Sequence, residues 1–340
     1  MRRFTYTSAL ALALLTITAA PAFACGGLVG ENGTIQLTRT TTLAAYHDGV
    51  ERYVTSFEFS GRGQSVGSIV PLPGIPTKVE RGGDWTLQRL EREVAPPVPA
   101  PAFAEASGAA LAKDAEVLQQ VQVDALDITI LRGGGDAVGR WAIDHGFLLT
   151  PDAPEVLDFY SQRSKIFMAA RFDASRAAQL DQQTGDGTPI MLTIPTDEPW
   201  VPLRILALGL DTAKVVDADV FLLTDARPAV LAADDGVTIA RSEPASTTLL
   251  DDLRRDQHMG WVPDAMWLSF VRIATTAGTL RHDLAVSTRA DTLPSARLAG
   301  FVTRDAPGDA PWAWWTALLV VGAPFVLVAG GVVLTRRRPA

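Results

Sequence analysis

Tyr53, Thr55, Phe57 and Phe59 alternate with Val54, Ser56 and Glu58. That period of two predicts a half-buried strand. The threonine-rich apolar stretch 35–45 lies before it, and His47-Asp48-Gly49 supplies a turn, so the two segments predict a hairpin. After a turn at Gly61 to Gly63, residues 65–70 predict a third strand. Pro71, Pro73 and Pro76 end it, because proline has no N–H to donate to a ladder. Apolar residues at Trp85, Leu87, Leu90 and Val94 carry helical spacing and predict a helix over 85–94. Beyond it, strands are predicted at 121–131, 166–172, 190–194, 203–208, 219–223, 267–273, 284–287 and 298–302. Helices are predicted at 136–144, 153–162 and 247–258, and 174–183 reads as helix or loop. Asp136 is placed to cap the first of these and Gly146 to terminate it. Strands outnumber helices and do not alternate strictly with them. The predicted class is therefore α+β, a strand-rich ectodomain with short helices, rather than a doubly wound sheet.

The two ends carry a different pattern. Arg2 and Arg3 precede an apolar run over 9–20, and Ala22-Phe23-Ala24 follows with small residues where a signal peptidase reads. Residues 1–24 are expected to be an export signal, leaving Cys25 first in the mature chain. At the other end, 312–334 contains no charge over 23 residues. A helix of that length reaches about 34 Å, enough for a hydrocarbon core of about 30 Å. Trp312, Trp314 and Trp315 stand at its start, where indole rings favour the headgroup layer, and Arg336, Arg337 and Arg338 follow its end. Positive charges beside a span hold that side in the cytoplasm, so the ectodomain is expected outside it.

The expected organisation is a signal peptide 1–24, a β-rich lobe 25–94 and a Pro/Ala-rich linker 95–118. An α+β lobe 119–303, a stalk 304–311, one transmembrane helix 312–334 and a basic cytoplasmic tail 335–340 follow. Composition agrees with a folded chain: apolar residues are 47% and charged residues 20%, too apolar for a disordered polypeptide and too charged for a many-span membrane protein. All 38 acids lie in 25–310. Setting aside the five terminal arginines leaves 25 of the 30 bases there, a net charge of −13. Such a surface repels phosphate backbones, so nucleic acid is not an expected partner. The expected partners are the lipid bilayer, through the C-terminal helix, and envelope proteins or glycans. A single cysteine, Cys25, allows no internal disulfide. Its lipidation is disfavoured by Ala22, which stands where a lipobox wants a larger aliphatic residue.

Candidate chemistry is sparse. Gly63-Gln64-Ser65-Val66-Gly67 fits G-x-S-x-G, a nucleophile elbow in which the serine sits on a turn from strand into helix. Ser68-Ile69-Val70-Pro71 follows it, and that run favours a strand. An exported serine hydrolase using Ser65, with His145 or His258 as base, is the alternative function on this motif. The histidines His47, His145, His258 and His282 stand in no H-x-H or H-E-x-x-H pair. His145 reads best as a residue at a helix C-terminus. Asp48, Asp144 and Asp283 each adjoin a histidine, but neighbours in sequence usually point apart on regular elements. The loop Gly133 to Gly135 lacks a phosphate-binding fingerprint and reads as a connector. Trp141, Trp200, Trp261 and Trp267 are candidate lining for a glycan groove, though tryptophan is mostly buried. No catalytic residue, cofactor site or metal site is assigned.

Four blocks of sequence resemble the bacterial family known as domain of unknown function 2330. They are Ala24-Cys25-Gly26-Gly27; the run from Gly67 to Pro76; Arg140-Trp141-Ala142-Ile143-Asp144-His145-Gly146-Phe147 with Val156 to Tyr160; and Pro199-Trp200-Val201-Pro202-Leu203-Arg204 with Asp219 to Leu223. The resemblance implies an exported bacterial protein, often anchored by a C-terminal helix, and no particular activity. Leu28-Val29-Gly30 stands where the family leads one to expect further cysteines, which argues against disulfide chemistry at this end. The expected function is a single-pass, membrane-anchored binding or structural module of the bacterial envelope.

Overall fold

The computed structural model describes residues 27–30, 36–60, 65–95, 115–180, 188–289 and 292–301. The chain divides into one unit ending at Gly300 and a second, Phe301–Ala340, of which only Phe301 is described. The export signal 1–24, most of the segment 95–118, the stalk 304–311, the apolar stretch 312–334 and the tail 335–340 lie outside the described residues.

The threonine-rich and alternating segments form β2 (Gln36–His47) and β3 (Val50–Ser60). They pair antiparallel across a turn in which Asp48 and Gly49 take φ of 51° and 75°. Strand β2 also runs parallel to β11 (Val215–Thr224). With β5 (Lys78–Arg81), β9 (Ile190–Pro195), β13 (Val237–Pro244) and β14 (Trp267–Thr276), they make a seven-stranded sheet of order β13-β14-β11-β2-β3-β9-β5. A second sheet is antiparallel throughout, in the order β1 (Gly27–Gly30), β4 (Ser65–Pro71), β8 (Ile166–Asp173), β7 (Leu126–Arg132), β6 (Glu116–Val123). A small third sheet joins β10 (Trp200–Val201), β15 (Leu284–Ser287) and β12 (Ala229–Leu231). Strands from before and after residues 95–118 share both larger sheets, so 25–94 and 119–303 contribute to a common framework.

Both faces of the seven-stranded sheet are covered, which explains the nearly unbroken apolar run of β11. Leu43, Ala45, Val54, Phe221 and Leu223 pack with α1 (Thr86–Val94) and α5 (Thr247–Arg255) through Leu87, Leu90, Leu249, Leu250 and Leu253. Ala44, Tyr53, Val220 and Leu222, one residue out of phase, point to the opposite face. There they join the core that includes the five-stranded sheet, α2 (Gly135–Asp144) and α3 (Ala153–Ser161). Asp256, buried after α5, accepts from the Asp84 and Trp85 N–H groups and the Thr86 hydroxyl, tying α5 to the start of α1.

The expected class, α+β with a C-terminal transmembrane helix, is corrected. The described residues form fifteen strands and five helices, the fifth being the short α4 (Ala174–Gln179). The longest helix has ten residues and spans about 15 Å, half a hydrocarbon core. No helix among the described residues is long and apolar enough to cross a membrane.

Local departures have identifiable causes. The predicted strand 121–131 is a hairpin of β6 and β7, turned at Asp124 with φ of 51°. The predicted strand 203–208 is a 3-10 turn, Arg204–Ala207, because its N–H groups are taken by side chains rather than by a neighbouring strand. Residues 298–300 form a turn rather than the expected strand. Helix α2 has Gly134 at its N-cap position and lacks the expected side-chain cap from Asp136.

Candidate functional site

A cleft opens where the end of α2 meets β7 and β8. It is a shallow recess open to solvent, with a cavity volume of about 30 Å³, lined by Asp127, Thr129, Trp141, His145, Phe147 and Arg171, with Ala169 in its floor. The ladder sets this floor: Asp127 pairs with Arg171 and Thr129 with Ala169, so all four side chains share one face. Phe147 is buried over Gly67 of β4, where an added Cβ would lie 2.1 Å from the Phe147 ring. Gly135, at the other end of α2, lets that helix approach α3, since a Cβ there would meet the Asp158 backbone at 2.6 Å. Two separate blocks of the family resemblance, Gly67 to Pro76 and Arg140 to Phe147, thus meet in one place.

His145 follows the last turn of α2. Its Nδ1 lies 2.6 Å from the Trp141 carbonyl, which can only accept, so Nδ1 donates to it. The two rings stack with centroids 4.0 Å apart. Trp141 is 3% exposed. Its Nε1–H and His145 Nε2 are both buried and have no hydrogen-bond partner among the described residues. Asp127 accepts from Arg176 at 2.8 Å and from Arg171 at 3.4 Å. Burial pushes its carboxyl above the ordinary value, against the pull of the two arginines.

A second polar cluster is fully buried. Asp283 Oδ1 accepts from the Tyr160 hydroxyl and from the N–H groups of Leu203 and Arg204, at 2.8, 2.8 and 2.9 Å. Tyr160 in turn accepts from Ile205 N–H at 2.8 Å. Arg163 donates to the Leu298 carbonyl, stands 2.8 Å from Asp283 Oδ2, and is packed against the rings of Phe159, Tyr160 and Trp200. Burial raises Tyr160 well above the ordinary phenol value and also raises Asp283, which Arg163 opposes. These contacts join α3, the 3-10 turn and β15, while Arg163 Nε and Nη2 have no hydrogen-bond partner among the described residues. Sequence reasoning missed this cluster. Its only trace was Pro202, which removes a ladder donor before Leu203.

The remaining histidines lie apart. At the β2–β3 turn, His47 Nδ1 is 2.6 Å from Asp225 Oδ1 and Nε2 is 3.3 Å from Asp48 Oδ2. The expectation that neighbours diverge fails here because Asp48 occupies a turn. His47, Asp48 and Asp225 offer three ligand atoms within 4.8 Å of one another, a solvent-facing set able to hold a divalent cation. His258 is within 2.8 Å of the Arg81 carbonyl and 3.6 Å of Glu80, and His282 is paired with Asp234 at 2.7 Å. Ser65 opens β4, opposite Asp173 of β8, and the strand continues through Ser68 to Pro71. A nucleophile elbow needs a helix at that point. Of the four tryptophans singled out, Trp141 and Trp200 are buried while Trp261 and Trp267 are half-buried, with Arg52 4.4 Å above the Trp261 ring. Glu51 of β3 is wholly buried, and neither carboxylate oxygen has a hydrogen-bond partner among the described residues.

The fold and cleft define a strand-dominated, multi-sheet domain with a small polar recess at a helix end. The chain belongs to the family described as uncharacterized protein conserved in bacteria (DUF2330), whose model matches residues 19–278. No curated protein matches it. Among solved structures it is similar to baculovirus P35, at 8% identity and a TM-score of 0.40, covering 75% of this chain and 97% of that one. A mutated baculovirus P35 after caspase cleavage gives 8% identity and 0.35, covering 74% and 99%.

Proposed function

We propose that the protein is an exported module of the bacterial envelope that works by binding, attached to the cytoplasmic membrane through its C-terminal end with the folded unit outside the cytoplasm. The observation that carries the binding reading is the cleft at α2. It is built on a sheet and a helix, and it sets Asp127, Thr129 and Arg171 beside the rings of Trp141, His145 and Phe147. A few polar groups among aromatic walls on a rigid sheet floor is the composition of a small-ligand site. The location rests on the pattern of the two ends: a charged start, a short apolar run and an A-x-A site at one, and an uncharged stretch between tryptophans and arginines at the other.

The hydrolase alternative loses its support at Ser65, which begins a strand. Treatment of the full-length protein with a fluorophosphonate probe should leave it unlabelled. Labelling that disappears in Ser65→Ala would overturn the binding reading in favour of the hydrolase. For the location, protease added to intact spheroplasts should digest the folded unit and spare a reporter fused after Ala340. The opposite pattern would refute the topology.

A further inference from the structure

We infer that the tip of the β2–β3 hairpin binds one divalent transition-metal ion, zinc being the type, through His47, Asp48 and Asp225. The three side chains offer a ring nitrogen and two carboxylate oxygens that lie within 4.8 Å of one another. Imidazole joined to carboxylates is a donor set for zinc and its neighbours in the first transition row. Calcium and magnesium take oxygen ligands instead.

Sheet register brings the set together. Strands β2 and β11 run parallel with Thr224 beside Tyr46. The next residue along each strand, Asp225 and His47, therefore leaves the sheet beside the other, although 178 positions separate them. Both strands lie inside the seven-stranded sheet with a neighbour on each side, so the backbone under these two ligands is fixed. Asp48 has a structural reason of its own, because its φ of 51° suits an Asp-Gly hairpin turn. Turn chemistry asks for neither His47 nor Asp225.

The spacing suits a small ion. Ligands held at about 2.0–2.1 Å from zinc stand about 3.3 Å apart. His47 Nε2 and Asp48 Oδ2 are 3.3 Å apart, and Asp225 Oδ1 is 2.6 Å from His47 Nδ1. The Asp48 and Asp225 side chains are 85% and 49% exposed, free to turn about the ion on the time scale of surface rotamers. Two carboxylates give the tip a negative charge. Arg52, 4.4 Å above the Trp261 ring, feels the Asp48 charge and offsets one of them. Three protein ligands leave a fourth position for water, the pattern of an exchangeable ion rather than a closed structural site.

The test is calorimetric titration of the untagged full-length protein, in detergent and a non-chelating buffer, with zinc, calcium and magnesium chlorides. Zinc should bind with a Kd of about 100 μM or tighter, and the other two at least about tenfold more weakly. His47→Gln, Asp225→Asn and Asp48→Asn should each weaken zinc by about tenfold or more, the last while keeping a residue that tolerates the left-handed turn. His258→Gln and His282→Gln should leave zinc binding unchanged. Urea unfolding without zinc checks that each variant is folded. Nitrogen–proton spectra of the wild-type imidazole rings need no folded carboxylate variant: zinc should shift the His47 ring before those of His145, His258 and His282. A zinc Kd weaker than about 100 μM would overturn the inference. Binding that persists in His47→Gln and Asp225→Asn would mean an adventitious ion only, and would overturn it too. Calcium bound as tightly as zinc would do the same, since the imidazole would then play no part. None of these residues lines the recess at α2, so the binding reading there stands or falls separately.

Discussion

Replacing Glu51 by glutamine should change how the stability of the protein depends on pH. Glu51 lies near the start of β3, opposite Tyr46 of β2 and Ile194 of β9, with no solvent exposure. Burial alone pushes its carboxyl from 4.5 up to about 8. The folded state therefore holds a proton that the unfolded chain releases above about pH 4.5. Stability from this group is complete below the unfolded value and is lost as pH rises through the folded one. At about 1.4 kcal/mol per pK unit, the whole shift corresponds to about 5 kcal/mol, most of it, about 3–4 kcal/mol, falling between pH 5 and pH 8. Glutamine removes the ionisation and keeps the shape. Urea unfolding of the wild type and Glu51→Gln, full-length in the same detergent, would be compared at pH 5, 6, 7 and 8. The stability of the variant relative to wild type should rise by about 3–4 kcal/mol across that range, with equal urea slopes. Glu51→Leu should follow the same pH trend from a different baseline. A difference that stays constant to within about 0.5 kcal/mol would show that the carboxylate is solvated or paired, and would refute the reasoning.

Three further substitutions probe the framework. Tyr160→Phe removes the hydroxyl that bridges Asp283 and Ile205 N–H, and should cost about 1–3 kcal/mol in urea unfolding by leaving a buried N–H unmet. A loss below about 0.5 kcal/mol would mean that the cluster is open to water. Asp256→Ala strips the acceptor from Asp84 N–H, Trp85 N–H and Thr86 Oγ1, and should cost about 2–4 kcal/mol. Hydrogen exchange should rise first at α1, and uniform exchange would count against this anchor. Gly67→Ala places a methyl group 2.1 Å from the buried Phe147 ring and should destabilise by about 1–3 kcal/mol. Adding Phe147→Leu should recover part of that loss, and no recovery would mean that the clash lies elsewhere.

Local order was well marked along the chain. The alternation from Tyr53 to Phe59 became β3, the Asp48-Gly49 turn closed the hairpin, and Trp85 to Val94 became α1 with a one-residue shift. Each of these depends on neighbours in sequence. The misses have one origin. At 203–208 a β-like run became a 3-10 turn because Asp283, about eighty positions away, took the N–H groups of Leu203 and Arg204. At 121–131 one apolar stretch proved to be two strands, since Asp124 supplied a turn at positive φ that apolar periodicity does not register. The cleft was half visible: Trp141 and His145 stood out as residue types, and their spacing of four placed them on one helix face. Thr129 and Arg171 carried no signal, because only the β7–β8 register brings them beneath that helix.

By itself, the sequence determined that the chain is folded and strand-rich, that its central segment is acidic, and that its family is bacterial. Those properties follow from composition, period and local motif, which are sums over near neighbours. Tertiary structure alone decided that β2 lies beside β11 in parallel, that Glu51 is sealed in the sheet, and that Trp141 and His145 line a recess over Thr129 and Arg171. Burial and pairing of this kind depend on which distant surfaces exclude water from one another. Sheet order sets that, and no local pattern encodes sheet order.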